Sequence, residues 1–305
     1  MKIFKKLFRF LKRMSSLTHK INRIQEALGR IEQRQITQYG VGINDAEFRV
    51  FSQWGEDGII QYLINHVPIE RKLFIEFGVE NYTESNTRFL LTNNYWSGLV
   101  LDGSEENIAY IKKDTVYWGY NLKAEHAFIT KDNINDLIMR NGIRGDIGLL
   151  SVDIDGNDYW VWEAIDCISP RIVISEYNSL FGPIAKVTTP YDPAFVRDLA
   201  HFSKVYYGSS ITALDHLAKQ KGYSLVGANT AGNNVFFVRN DLLGTLKVHT
   251  PEAAYRQAQF REYHNESGEL TYDDFATRLR MIEDLEIYNI ETQSIIKIKD
   301  IKAIN

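Results

Sequence analysis

Leu73-Phe74-Ile75-Glu76-Phe77-Gly78 is a short apolar run that stops at a glycine turn, and the chain varies the same pattern as far as Glu176. Residues 86–95 carry the spacing of a helix, and Ser97-Gly98-Leu99-Val100-Leu101-Asp102 is a second apolar run. A helix over 105–113, a strand over 122–129 and a helix over 133–140 come next. Then come Ile147-Gly148-Leu149-Leu150-Ser151-Val152-Asp153, almost wholly apolar, and Arg171-Ile172-Val173-Ile174-Ser175-Glu176. Runs this apolar belong to strands covered on both faces. Strands alternating with helices at this spacing predict a parallel, doubly wound sheet.

Beyond a long loop, a helix over 210–221 is closed by Gly222, and strands over 223–227 and 233–239 flank the turn Ala228-Asn229-Thr230-Ala231-Gly232. That pair reads as a hairpin, so one strand runs antiparallel to the rest. The expected fold is α/β: a seven-stranded doubly wound sheet with one antiparallel strand, the Rossmann-like arrangement of class I methyltransferases. This domain is placed over residues 45–242, after a basic helix over 1–36 and before an extension over 243–305. The extension reads as polar and helical, and no role follows from its sequence.

The chain has 305 residues, 44% hydrophobic and 24% charged, enough to bury a sizeable core. It lacks any apolar run of about 18 residues, so no segment reads as spanning a bilayer. The single cysteine, Cys167, excludes an intrachain disulfide, fits a reducing, cytoplasmic compartment, and reads as a packing residue. Between Met1 and Arg34 ten basic residues face two acidic ones, a net of +8. Because the whole chain carries −4, the remainder carries −12. An acidic body repels phosphates, which argues against nucleic acid as a partner.

In the basic segment, Ile3, Leu7, Phe10, Met14, Leu17, Ile21, Ile24, Leu28 and Ile31 recur in steps of four and three. That heptad period lays one apolar seam along a helix. The seam over 14–31 is expected to join copies into a homo-oligomer. The first thirteen residues, with Phe4, Leu7, Phe8 and Leu11, also suit peripheral contact with an anionic membrane at its inner face. The plainer use is packing against the chain's own domain. Gly29 lies off the seam.

In doubly wound sheets ligands bind at the carboxyl ends of the strands, near the switch in strand order. Glu76, Asp102 and Asp153 fall there, and Gly78 would let backbone approach a ligand closely. Asp102 lies 24 residues past Gly78, where an acid can take both ribose hydroxyls; it also reads as a helix cap. A dinucleotide needs a glycine-rich turn to hold pyrophosphate on backbone N–H groups. Here the turn is Gly78-Val79-Glu80-Asn81-Tyr82-Thr83-Glu84, with one glycine and two carboxylates. Such a turn suits a ligand bearing a sulfonium and an amino group.

Five segments together resemble the FkbM-type and related S-adenosylmethionine-dependent methyltransferases, many of them associated with surface-polysaccharide or natural-product biosynthesis. They are Phe51-Ser52-Gln53-Trp54-Gly55-Glu56-Asp57-Gly58, Glu76-Phe77-Gly78-Val79-Glu80-Asn81, Glu84-Ser85-Asn86-Thr87-Arg88, Trp96-Ser97-Gly98-Leu99, and Ser151-Val152-Asp153-Ile154-Asp155-Gly156-Asn157-Asp158-Tyr159. The resemblance covers about residues 51–239. It implies S-adenosylmethionine as cofactor, with Glu76, Gly78, Asp102 and Ser104 in contact with it and Thr130 near its adenine; Asn86 and Asp153 join this cofactor set. Better-known methyltransferases have a glycine-rich loop that is reduced here to Gly78, with Glu80 where a second glycine often sits.

Asp153, Asp155 and Asp158 cluster after the fourth strand, and Glu176 and Asn178 follow the fifth. Asp153, Asp155, Glu176 and Asn178 make a candidate site for Mg²⁺ or another divalent cation, similar to the edge where some sugar and catechol O-methyltransferases place a metal. The same Asp155-Gly156-Asn157-Asp158 also reads as a turn and helix cap. Without a metal, Asp153, Asp155 or Glu176 serves as general base, with His126 and His201 as further candidates. The loop over 179–207 is too long for a mere connector and reads as an acceptor pocket and lid. The expected function is O-methylation of a sugar or surface-glycan hydroxyl. The rivals are N-methylation, another metal-dependent reaction on the same fold, and a non-catalytic, membrane-tethered assembly partner in polysaccharide synthesis.

Overall fold

The computed structural model describes residues 2–39, 42–258, 260 and 263–301. Helix α1 (Lys2–Tyr39) precedes α2 (Glu56–His66), and the strand–helix alternation then begins. It runs β1 (Leu73–Phe77), α3 (Arg88–Asn94), β2 (Ser97–Asp102), α4 (Glu105–Ile111), α5 (Thr115–Gly119), β3 (Leu122–His126), α6 (Ile134–Arg140) and β4 (Gly145–Val152). After α7 (Asp158–Ala164) and β5 (Ile168–Glu176), the chain makes the short strand β6 (Val187–Thr188), α8 (Arg197–Ala200) and α9 (Ile211–Gln220). The hairpin of β7 (Tyr223–Ala228) and β8 (Asn234–Arg239) completes the main sheet.

The order across that sheet is β3-β2-β1-β4-β5-β8-β7, with β8 antiparallel to both neighbours. This is the class I methyltransferase arrangement expected from the sequence. Side chains alternate between two cores, as the pleat requires. Ile75 and Phe77 of β1 and Leu99 and Leu101 of β2 enter one, while Phe74 and Val100 enter the other. Ligand chemistry is directed to the switch point, where β1 and β4 lie side by side with their carboxyl ends together.

Residues past 243 differ from the helical expectation. Among the described residues there, α10 (Pro251–Ala254), α11 (Phe275–Ile282) and a 3-10 turn at Ile298–Asp300 are helical, against four strands: β9 (Tyr263–His264), β10 (Leu270–Thr271), β11 (Glu286–Asn289) and β12 (Ser294–Lys297). The physical reason is an available edge. β11 adds to β6 and to β12, and Ile287, buried at the centre, packs on Phe181, Val187 and Ile282. The Asn289 side chain accepts from the N–H groups of Glu291 and Thr292 to close the intervening turn.

Helix α1 lies against α2 and α3. The contact is made at Gly29, where a β-carbon would come within 2.5 Å of Val50 and 2.9 Å of Phe89, and at buried Ile36. Gly29, read as merely off the seam, is therefore what lets the helix approach the domain. The side chains of Phe4, Leu7, Phe8 and Leu11, and with them the expected membrane contact of residues 1–13, lie outside the described residues. No described helix is long and apolar enough to cross a membrane.

Candidate functional site

The loops leaving β1 and β4 cross at Gly78. Its φ of +65° is a left-handed conformation, and a β-carbon there would stand 1.9 Å from the Asp153 carbonyl oxygen. The space expected to admit a ligand is thus filled by the neighbouring backbone. Only glycine meets both demands. Its effect is to hold Asp153 against the end of β1.

Glu76 ties a second segment to the same strand end. Its buried carboxylate accepts from the Asn86 N–H at 2.8 Å, the Thr87 N–H at 3.1 Å, and the Thr87 hydroxyl. Burial pushes its pKa up to about 7 despite these bonds. Asn86 in turn donates to Ser151 of β4 at 3.1 Å. A comparable clasp forms upstream: Asp57 accepts from the N–H groups of Val50, Phe51 and Ser52, each at 2.7 Å. Glu56 accepts from the Trp54 and Gly55 N–H groups and from the amides of Asn229 and Asn234. The motif over 51–58 is therefore built of carboxylates that fold a loop, and that loop delivers Gln53 to a cleft.

The cleft measures about 720 Å³. Glu76, Glu80, Glu84, Asp153, Asp155, Glu176 and Asp198 line it, against the cations Arg197 and Lys204. Such a wall attracts cations and repels phosphate. Asp153, Asp155 and Glu176 each bring a carboxylate oxygen within 4.8 Å of the others. Glu176 is buried and its Oε2 has no hydrogen-bond partner. Burial, then the neighbouring Asp153 and Asp155, holds the Glu176 carboxyl well above the usual carboxylate range. Asp153 is raised in the same way, by burial first and by Asp155 and Asp158 next.

Arg197 of α8 donates to Asp155 Oδ1 at 2.6 Å and to the Lys204 carbonyl, with its guanidinium 3.8 Å from the Tyr207 ring centroid. Burial by itself would lower its pKa. Tyr207, Glu176 and Asp155 outweigh that and hold it above the ordinary value. The loop over 179–207 contributes Phe195, Val196, Arg197, Asp198 and Lys204 to the lining of the cleft. It is anchored where Phe195 covers Gly156 and where Thr189 donates to the Gly156 carbonyl. Tyr206 points away, its hydroxyl donating to the Glu286 carbonyl of β11.

Other predicted residues do structural tasks. Asp158 accepts from the Ile154 and Gly156 N–H groups at 2.8 and 2.9 Å, and burial pushes its pKa up to about 6. It is the turn-and-cap residue of the alternative reading. Asn178, expected among the metal ligands, is bonded to the loop that follows it. Its oxygen accepts from Leu180 N–H while its amide donates to the carbonyls of Val205 and Tyr207, so every polar group is spent on the loop. Asp102 Oδ1 accepts from Ser104 N–H and from Asn107, and Ser104 caps α4. Asp102, Ser104 and Thr130 are not among the cleft-lining residues. His126 is exposed and bonded to the Gly103 carbonyl, and His201 is paired with Ser203, so neither histidine reaches the carboxylates' cleft.

Sequence reasoning missed Gln53, Phe128, Arg197, Lys204, His264 and Leu270, all of which line the cleft. Phe128, 48% exposed, sits over Gly103 at the end of β2. His264 and Leu270 come from the β9–β10 hairpin, and the His264 Nδ1 atom is buried without a partner. Gln53 stands in the 51–58 motif and Arg197 and Lys204 in the loop read as an acceptor pocket, whereas His264 and Leu270 carried no signal that could have been read.

No protein-family model matches the sequence, and no curated protein matches it. Among solved structures the chain is similar to the N-terminal domain of EvdMO1 with S-adenosylhomocysteine bound, at 12% identity over 69% of this chain and 95% of that one, TM-score 0.41. It is also similar to an O-methyltransferase from Bacillus cereus in complex with S-adenosylhomocysteine, at 13% identity over 68% and 90%, TM-score 0.41. A third is an S-adenosylmethionine-dependent methyltransferase from Clostridium acetobutylicum, at 10% identity over 60% and 90%, TM-score 0.39. Likeness at this level says nothing of what this chain binds, and the functional reading rests on the cleft.

Proposed function

We propose that the chain transfers the methyl group of S-adenosylmethionine to a hydroxyl of a sugar or glycan. The observation that carries the reading is the wall of carboxylates at the switch point of a sheet with this strand order. A sulfonium and an ammonium group fit such a wall, and a pyrophosphate does not. The buried, unpartnered Glu176 oxygen supports a cationic or hydroxyl-bearing ligand at that spot. Glu76, Gly78, Asn86 and Asp153 frame the cofactor's end of the cleft, and Phe128 offers an apolar face beside it. The cofactor supplies an electrophilic methyl on sulfur.

The chain's own part is to accept a proton and to hold the acceptor. Burial and mutual repulsion raise the Glu176 and Asp153 carboxyls, so the member of the pair that is ionised is a stronger base than a surface carboxylate. One of them takes the proton of the acceptor hydroxyl as its oxygen turns toward the methyl group. Asp155 orients Arg197, and Gln53 and His264 line the same cleft with polar groups that suit sugar hydroxyls. A divalent cation such as Mg²⁺ would be held by Asp153, Asp155 and Glu176 and would supply Lewis acidity toward a hydroxyl.

The test is transfer of labelled methyl from S-adenosylmethionine to a panel of glycans and amines, with and without Mg²⁺. Label in the glycan fraction, lost by about a hundredfold or more in Glu176→Gln, is the expected result. Label confined to amines would replace the hydroxyl reading with N-methylation.

A further inference from the structure

We propose that the exposed apolar stripe of α1 is a docking surface for a second copy of this chain, joined as a parallel, in-register helix pair. Leu17, Ile21, Ile24, Leu28 and Ile31 are 47–60% exposed, although each is large and apolar. They succeed each other in steps of four and three, the repeat that a second helix of the same period buries.

The opposite side of α1 is already committed. Asn22, Glu26, Gly29, Gln33 and Ile36 recur in the same steps, and with Arg30 these are the half-buried and buried residues among those described in the helix. At 3.6 residues per turn the two stripes lie roughly 150° apart. One stripe therefore holds the helix on the domain while the other faces away from it. Packing on its own body, the plainest use of the seam, is thus served by different residues.

Charge selects a copy of the same helix and sets its direction. In a parallel pair, the residue before one core position meets the residue five places later on the other helix. Lys20 then faces the partner subunit's Gln25, and Ala27 faces the partner subunit's Glu32. No like charges meet. An antiparallel pair would bring the row that holds Lys20 and Arg34 beside the same row of the other helix. The basic stripe thus favours the parallel arrangement. The pairing is independent of the reaction proposed for the cleft.

The test uses the full chain. Light scattering on a size-exclusion column is expected to give a multiple of the 35.2 kDa chain mass. Ile24→Glu with Leu28→Glu should reduce it to one chain while thermal unfolding stays unchanged, since the exposed stripe is not the docked one. In a Cys167→Ser background, Leu17→Cys should crosslink under mild oxidation, because parallel register brings identical positions together. An antiparallel pair centred on Ile24 would place residue 17 beside residue 31 and give no crosslink. A single-chain mass for the unsubstituted protein, an unchanged mass for the double variant, or absence of the Leu17→Cys crosslink would each overturn the proposal. Single chains that pellet with phosphatidylserine–phosphatidylcholine vesicles would overturn it in favour of a membrane surface.

Discussion

Gly78→Ala is the substitution whose cost the structure states most directly. The added methyl must adopt φ near +65° and would sit 1.9 Å from the Asp153 carbonyl oxygen, where ordinary contact begins at 3.4 Å. The left-handed conformation costs about 1–2 kcal/mol. Forcing an extra carbon into packed space costs about 1–3 kcal/mol more. Relief requires the loop after β4 to retreat by about 1.5 Å, carrying Asp153 with it. A displacement of about 1 Å at a reacting group lowers turnover by roughly a hundredfold. Gly142→Ala is the matched control: its φ is +78° and nothing lies within 4 Å of the added carbon. It should lose only the conformational part, about 1–2 kcal/mol. Urea unfolding of both variants, with titration of each by S-adenosylmethionine, reads the difference. If Gly78→Ala loses no more stability than Gly142→Ala and binds as the unsubstituted chain does, the two loops do not cross as described.

Stability should fall as pH rises when no ligand is present. Burial raises Glu76 from 4.5 to about 7, and Asp57 and Asp158 from 3.8 to about 6. Groups raised on folding contribute fully below their unfolded values and lose that contribution as pH passes the folded ones. The urea midpoint should therefore drop between about pH 4 and about pH 7, and less steeply in Glu76→Gln; a rising midpoint would refute the assignment. Arg197→Met removes the cation bonded to Asp155, so Mn²⁺ should bind about tenfold more tightly by calorimetry. An unchanged affinity would place any bound ion elsewhere.

The sheet was legible because its strands are apolar on both faces and separated by short amphipathic helices. Strands β1, β2, β4 and β5 each read as near-unbroken runs of Ile, Leu, Val and Phe. The C-terminal strands were not legible, since β11 and β12 alternate weakly and form because β6 offers an edge to pair with. In the site, the carboxylates at the strand ends could be placed, because a strand's last residue has a defined position. Arg197 could not. It lies 21 residues after Glu176 in a loop, and only the path of that loop returns it to Asp155. His264 comes from farther still, with no local pattern to mark it. Asn178, Asp102 and Ser104 show the opposite ambiguity. Their types suit ligands and caps equally, and capping, which satisfies backbone groups that have no other partner, is what they do.

Calorimetric titration of the purified chain with S-adenosylmethionine, S-adenosylhomocysteine and NAD, at matched pH with and without Mg²⁺, tests the central claim most directly. The carboxylate-lined cleft predicts micromolar binding of the two sulfur ligands and no heat with NAD. Binding of NAD, or of neither sulfur ligand even after a panel of glycan acceptors has been added, would contradict it.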